Sequence, residues 1–183
     1  MATYFIADLH FDDKNILTYY HRPFKDVEEM NQKLIDNIVE KFNTCKSENY
    51  PTLYNPIKFF ILGDYGNEEY LYKIIDRLND SELWTEMFVV KGNHDKEYLI
   101  DIKQYGVGFS KYPIMYEGCW LSHEPIVYIP PECPYLNIHG HTHSLRYGNG
   151  GSWSDGNRYY NVSVENTKYY PISLDRIKEE LFI

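Results

Sequence analysis

The chain has 183 residues, of which 43% are hydrophobic and 25% charged, and a formal net charge of −9. That length suits one domain burying roughly 70% of its unfolded surface without disulfide staples. The acidic balance excludes an extended phosphate-tracking surface, which is ordinarily basic, so no extended nucleic-acid contact is expected. With no apolar run near the roughly 18 residues of a membrane helix, no membrane association is expected either.

Met1-Ala2 leads directly into Thr3-Tyr4-Phe5-Ile6-Ala7, a strand-like run with no basic flank or small-residue cleavage site, so a cytoplasmic address is expected. The strand, at about residues 3 to 8, ends in Asp8-Leu9-His10, and Asp12-Asp13-Lys14-Asn15 reads as a loop. Asp8 and His10 are spaced as a ligand pair splayed from a strand end. By itself the pair reads rather as a turn aspartate and a surface histidine. Asp26, three residues before Glu29, has capping-box spacing. Met30, Leu34, Ile35, Ile38, Val39 and Phe42 then recur at helical intervals, which predicts an amphipathic helix from Val27 to about Phe42. His21 is expected in solvent, and Arg22 as a surface arginine in preference to a phosphate contact.

Residues 43 to 56 are a loop by composition. Cys45, Cys119 and Cys133 are odd in number, far apart and without a CxxC pair, so they are expected to be reduced packing residues. Ile57 to Leu62 predicts a strand buried on both faces, ending in Gly63-Asp64-Tyr65-Gly66-Asn67, where Asp64 alone reads as a helix N-cap. Leu71, Ile74, Ile75 and Leu78 mark a second helix, and Met87 to Lys91 a third strand. That strand runs into Gly92-Asn93-His94-Asp95, followed by a helix at about residues 96 to 103. This rhythm predicts a sheet with helices on its faces and ligand sites beyond its strand ends.

The second half predicts short strands at Tyr112–Tyr116, Cys119–Ser122, Tyr135–Ile138, Tyr159–Val164 and Pro171–Leu174, a β-rich and hairpin-linked region. It carries Ser122-His123-Glu124-Pro125 and His139-Gly140-His141-Thr142-His143. In an extended segment His141 and His143 point to one side and can meet metal at one site, whereas His139, further back, reads as a core or supporting residue. Residues 144 to 158 form a glycine-rich lip whose Trp153 is a candidate substrate contact. Ile177, Leu181 and Phe182 suggest a short closing helix. Of seven histidines, only His21 falls outside these motif regions, which argues for one polar cleft fed from several strand ends.

The ordered set Asp8-x-His10, Gly63-Asp64, Gly92-Asn93-His94-Asp95, His123 and Gly140-His141-x-His143 resembles the calcineurin-like metallophosphoesterase family. Asp8-Leu9-His10-Phe11, Arg22-Pro23-Phe24, Glu28-Glu29-Met30-Asn31 and Pro171-Ile172-Ser173 are similar to its small, capless bacterial and phage members. The resemblance implies an α/β fold, a four-layer αββα sandwich, in a single domain over residues 1–183. It also implies two divalent metal ions, one held by Asp8, His10, Asp64 and His143 and the other by Asp64, Asn93, His123 and His141, with Asp64 bridging. Such mixed nitrogen and oxygen donors admit manganese, iron, nickel or zinc.

The same resemblance implies hydrolysis of a phosphoester by a metal-bridging hydroxide attacking phosphorus in line. His94 would contact the phosphate and help protonate the leaving oxygen, and Asp95 would orient His94 or cap a helix. Two divalent ions, set against two carboxylates and a hydroxide, leave one positive charge facing the substrate, so an acidic protein can bind phosphate locally. A phosphodiester is expected because no cap domain encloses a small monoester. A phosphomonoesterase and a non-catalytic scaffold on the same fold are the alternatives. A polymerase-and-histidinol-phosphatase type enzyme would carry HxH at its first strand, against the order here. The 19 tyrosines offer stacking faces for a nucleotide-like substrate, although most read as packing and surface residues. Two departures stand out: close relatives often have Gly-His at Asp12-Asp13, and many have an acidic residue at Asn67. A carboxylate at Asp12-Asp13 is expected to repel or solvate the substrate.

Overall fold

Alternating side chains in the first two strands set the layers. The computed structural model describes residues 2–44, 51–96, 106–129, 136–144 and 158–181. Cys45, Cys133, the helix expected after Lys96 and the lip with Trp153 lie outside the described residues. In β1 (Thr3–Ile6) and β2 (Ile57–Leu62), Tyr4, Ile6, Phe59 and Ile61 join one apolar cluster. Phe5, Phe60 and Leu62, which alternate with them, join another. A strand whose successive side chains enter two cores must be covered on both faces.

The first cluster is completed by helices. In α2 (Val27–Asn43), Met30, Leu34, Ile38 and Phe42 are buried, as their spacing requires. Asp26 caps this helix by accepting from the Glu29 N–H, while the Glu29 carboxylate reaches back to the Lys25 N–H, one residue before the reciprocal donor of a capping box. In α3 (Glu69–Asp80), Leu71, Ile74 and Leu78 supply the corresponding stripe. A short α1 (Lys14–Tyr19), capped by Asp13, precedes both and buries Ile16.

With β3 (Thr85–Val90), β4 (Gly108–Ser110) and β9 (Ile172–Ser173), the first sheet runs β4-β3-β2-β1-β9. It is parallel except where β9 pairs antiparallel with β1. The second sheet has the order β5 (Ile114–Tyr116), β6 (Cys119–Leu121), β7 (Leu136–His139) and β8 (Tyr159–Asn161). Its Cys119, Leu121, Leu136 and Ile138 meet Phe5, Phe60 and Leu62 between the sheets, where α4 (Leu174–Leu181) also buries Leu174, Ile177 and Leu181.

The hairpin expectation is corrected for most of the second half. Among the described residues only β5 and β6 form an antiparallel pair in the second sheet, whereas β6–β7 and β7–β8 are parallel. Strand length alone cannot distinguish these arrangements, because direction is set by what the connection traverses. The expected mixed α/β architecture with two sheets is present, and the ends of the parallel strands carry the polar motifs.

Candidate active site

Hydrogen bonds carry the parallel register past the strand ends and bring the motif loops together. Asp8 N–H donates to the Gly63 carbonyl at 3.1 Å, His10 N–H to Asp64 at 2.9 Å and Phe11 N–H to Tyr65 at 2.9 Å. Within the second sheet, Gly140 N–H donates to the His123 carbonyl at 2.9 Å, and Ala7 N–H reaches across from the first sheet to the Val162 carbonyl at 3.1 Å. Gly92 must lack a side chain, because a Cβ there would strike the Asp64 carboxylate and backbone. Gly63 sits at φ +83°, which favours glycine, and a Cβ there would meet the His123 ring.

Asp8, His10, Asp64, His141 and His143 themselves have positive φ, between 47° and 67°. Such a conformation is uncommon for non-glycine residues and concentrates where surrounding structure enforces it. It also corrects the parity argument for the HxH pair: His141 and His143 lie in a left-handed turn beyond β7, not in an extended strand. Their side chains diverge into two different groups.

Two sets of three residues each bring ligand-type atoms within 4.8 Å of one another: Asp8, His10 and His143, and Asp64, His123 and His141. Asp64 joins them, with its Oδ2 3.7 Å from His10 Nε2 and 3.3 Å from His123 Nε2. Asn93 Oδ1 lies 2.8 Å from His123 Nε2 and 3.0 Å from His141 Nδ1, so it belongs with the second set. His94 is exposed, its ring centroid 5.7 Å from that of His10, and its N–H donates to Asp64 Oδ1 at 2.9 Å. His139 is buried behind the turn, with Nδ1 2.9 Å from the Gly140 carbonyl.

The electrostatics suit cations. Burial pushes the Asp8 carboxyl up from its usual range, which makes its ionised form costly without positive partners. Burial opposes ionisation of Asp64 too, yet the hydrogen bond and charge of His123, the His94 N–H and His10 hold it at about 2. Burial likewise works against the charge on His123, but Asp64 and Asp8 raise it to about 9. His123 Nδ1 faces the Leu62 carbonyl at 3.0 Å, an acceptor, so Nε2 is the nitrogen turned into the site. A metal ion would replace the proton held there. Burial drives His10 down to about 4, and its Nε2 is buried without a hydrogen-bond partner. An orphaned nitrogen opposite a carboxylate fits a metal, as does the mixture of carboxylate, amide oxygen and imidazole donors.

Three residues stand differently from the expectations drawn for them. Arg22 is buried under the site: its guanidinium donates to the Asp8 carbonyl at 2.6 Å and the Leu9 carbonyl at 2.9 Å. These are backbone groups that the left-handed turn at Asp8 would otherwise leave unpaired in the interior. Asp95 accepts from the N–H groups of Gly92 at 2.7 Å, Asp64 at 2.8 Å and Tyr65 at 3.0 Å, which ties the two loops together. Burial raises its carboxyl to about 6. Among the described residues it forms no hydrogen bond with the His94 ring.

Asp12 is turned away from the role of repelling substrate. Its carboxylate accepts from Asn31 and Asn67, each at 2.7 Å, and Asp13 caps α1 with its other oxygen 3.8 Å from His10 Nδ1. The two departures therefore explain one another. An acidic residue at position 67 would face the Asp12 carboxylate, whereas the Asn67 amide donates to it.

Glu165 has no counterpart among the sequence candidates. Its Oε1 accepts from Arg22 at 2.7 and 2.9 Å and lies 3.1 Å from His143 Nδ1. Because a carboxylate only accepts, the hydrogen sits on Nδ1, and Nε2 is presented toward Asp8, 4.0 Å from Oδ1. Burial opposes the charge on Glu165, but His143 and Arg22 hold its carboxyl below the usual range. Tyr20 stacks on the other side of His143 with centroids 3.6 Å apart. No spacing rule links positions 20, 22, 143 and 165.

Two parallel-rich sheets with paired carboxylate–histidine clusters beyond their strand ends define a two-metal hydrolase. The chain belongs to the calcineurin-like phosphoesterase family, whose model matches residues 1–179. It is 30% identical over 187 residues to the uncharacterized protein MJ1445 of Methanocaldococcus jannaschii, covering 95% of this chain and 88% of that one. The crystal structure of AQ665 from Aquifex aeolicus, a protein of unknown function, aligns with a TM-score of 0.65 and 26% identity over 98% of each chain. The nuclease MPE of Pseudomonas putida aligns more distantly, with a TM-score of 0.47 and 17% identity over 77% of this chain and 61% of that one. The protein is thus a metal-dependent phosphoesterase, of a family that works with two divalent metal ions.

Proposed function

We propose that the protein hydrolyses phosphodiesters, with Asp8, His10, Asp64 and His143 holding one divalent ion and Asp64, Asn93, His123 and His141 the other. The observation that carries this reading is the meeting of the two donor sets at Asp64, whose Oδ2 lies within 3.7 Å of a histidine nitrogen from each. A carboxylate has lone pairs enough for two cations. When bound, the ions supply acidification of a water and neutralisation of charge on the phosphoryl oxygens.

The chain's own residues do the remaining work. His94, exposed beside His10, contacts the phosphate and delivers a proton to the leaving oxygen, a contribution of roughly 10²–10⁴ in rate. Its N–H to Asp64 Oδ1 keeps its loop in step with the shared carboxylate. Asp95 is a positioning residue that holds Gly92 and Asp64 in contact. His94 and Asn93 stand in the open, which supports a substrate with ester groups on both sides of phosphorus.

The test is to strip the protein of metal and add back manganese, iron, nickel or zinc singly. Bis(p-nitrophenyl) phosphate and p-nitrophenyl phosphate are then assayed alongside Asn93→Ala and His94→Ala. Hydrolysis is expected only with metal, faster on the diester and reduced in both variants. Activity that survives chelation sinks the mechanism, and a faster monoester reverses the diester assignment. Absence of hydrolysis with any ion favours the scaffold alternative.

A further inference from the structure

Tyr20 touches the first donor set but has no part in the chemistry assigned to His94, Asp95 or the metal ligands. It follows α1, its N–H donating to the Ile16 carbonyl at 3.1 Å, and its ring lies on the His143 imidazole with 3.6 Å between centroids and 18° between planes. From His143 the series of rings continues to His10, 5.3 Å away, and from His10 to His94, 5.7 Å away. His94 ends the series on one side and Tyr20 on the other. Both reach solvent, His94 being exposed and Tyr20 half-buried.

The segment that carries Tyr20 is fixed from beneath. His21 has a φ of 49°, and Arg22 next to it donates its N–H to the Leu17 carbonyl at 3.1 Å, so the chain folds back under the site. The Arg22 guanidinium holds Glu165, which in turn accepts from His143 Nδ1. Tyr20 and Arg22 thus bracket one imidazole, Tyr20 on its face and Arg22, through Glu165, at its edge. Covering the face of His143 calls for an aromatic ring but not for a hydroxyl, which phenylalanine would lack.

That hydroxyl is a donor without an acceptor. Among the described residues it makes no hydrogen bond, whereas Tyr159, Tyr160 and Tyr170 each donate to the chain. Burial, and then the carboxylates of Glu165, Asp8 and Asp64, push the phenol up against the opposing charge of Arg22, so it keeps a proton to donate. Asp8 and Asp64 are groups of the metal site, so the hydroxyl stands at its margin. Bound cations would reverse the local field of these carboxylates and draw an anion there. Arg22 cannot serve that anion, because its guanidinium is spent on the Asp8 and Leu9 carbonyls and on Glu165.

We infer that Tyr20 binds the substrate, its hydroxyl donating a hydrogen bond to a non-bridging phosphoryl oxygen at the His143 end of the site. The inference rests on the phosphoesterase reading and adds to it a residue that holds the phosphoryl group while His94, at the other end, protonates the leaving oxygen.

The test is equilibrium binding, which needs no turnover. Calorimetry with inorganic phosphate on the manganese-loaded protein is set beside the metal content of the dialysed protein, for the unaltered chain and for Tyr20→Phe. That substitution keeps the ring on His143 and removes only the hydroxyl. Tyr20→Phe is expected to retain as much metal as the unaltered chain and to bind phosphate about tenfold more weakly, the value of one charge-assisted hydrogen bond. Equal phosphate affinities overturn the contact. So does a loss of metal in Tyr20→Phe, which would make the hydroxyl a support of His143 and not a partner of the substrate. Hydrolysis of bis(p-nitrophenyl) phosphate by the unaltered chain is read separately. Weaker phosphate binding in Tyr20→Phe without hydrolysis by the unaltered chain rejects the esterase reading and keeps the contact, whereas hydrolysis with equal phosphate affinities does the reverse.

Discussion

Asp64 is the residue on which both donor sets depend. One carboxylate oxygen faces His10 and His123, and the other accepts the His94 N–H, so a single substitution disconnects three loops. Asp64→Ala is expected to lower the bound metal from two ions per chain and to reduce diester hydrolysis by at least about 10³, of the order of transition-state charge stabilisation. Metal analysis of the dialysed protein, set beside steady-state kinetics, checks both. Glu165 acts one step further out. Glu165→Gln retains the shape but weakens the hold on His143 Nδ1, and metal affinity measured by calorimetry should fall roughly 10–100-fold. Arg22→Met removes the cationic partner of the buried Glu165 carboxylate and leaves it only the His143 N–H, and urea unfolding should register a loss of about 3–5 kcal/mol. A loss below about 1 kcal/mol, the range of a surface pair, would contradict the buried assignment.

Loops at the ends of β1, β2, β3, β6 and β7 hold the candidate groups, and contact between loops sets their tolerance to change. Gly92→Ala places a Cβ against the Asp64 carboxylate and backbone, so it should reduce metal occupancy even though the added group is only a methyl. Unchanged metal binding in that variant contradicts the close approach. At the other end of the scale, Asp26→Ala removes the N-cap of α2, far from the chemistry. It should cost about 1 kcal/mol in thermal unfolding with the metal affinity preserved. The helix at Val27 was legible because its caps and apolar stripe are local. The direction of the second sheet's strands was not, because the long connections from β6 to β7 and from β7 to β8 allow either a crossover or a looped return; only their packing distinguishes parallel from antiparallel.

Two apolar clusters, one between the helices and the first sheet and one between the sheets, hold the molecule around a charged edge. Asp8 and Asp64 are both under 2% exposed there, so the metal-free protein keeps two carboxylates in a desolvated place. Metal loading should therefore stabilise the whole chain. At an ion concentration 100 times the dissociation constant, linkage gives about 2.7 kcal/mol per site. For a domain of this size that amounts to a rise in Tm of roughly 5–10 °C per site, readable by calorimetry with and without chelator. An unchanged Tm on metal addition contradicts a site built across both sheets. Among the described residues no helix is long and apolar enough to cross a membrane.

The sequence by itself determined the α/β alternation, the stripe of α2, the limits of β2 and the set of aspartates, asparagine and histidines that resembles a two-metal phosphoesterase. Each of these is carried by local periodicity or by short ordered motifs. Only the tertiary structure decided that His141 and His143 diverge, since both occupy a left-handed turn that an extended-strand parity argument cannot anticipate. It alone joined Arg22 to Glu165 across 143 positions and made Asp12 and Asn67 partners across 55. Those pairings depend on which strands become neighbours, and no spacing along one chain segment contains that information.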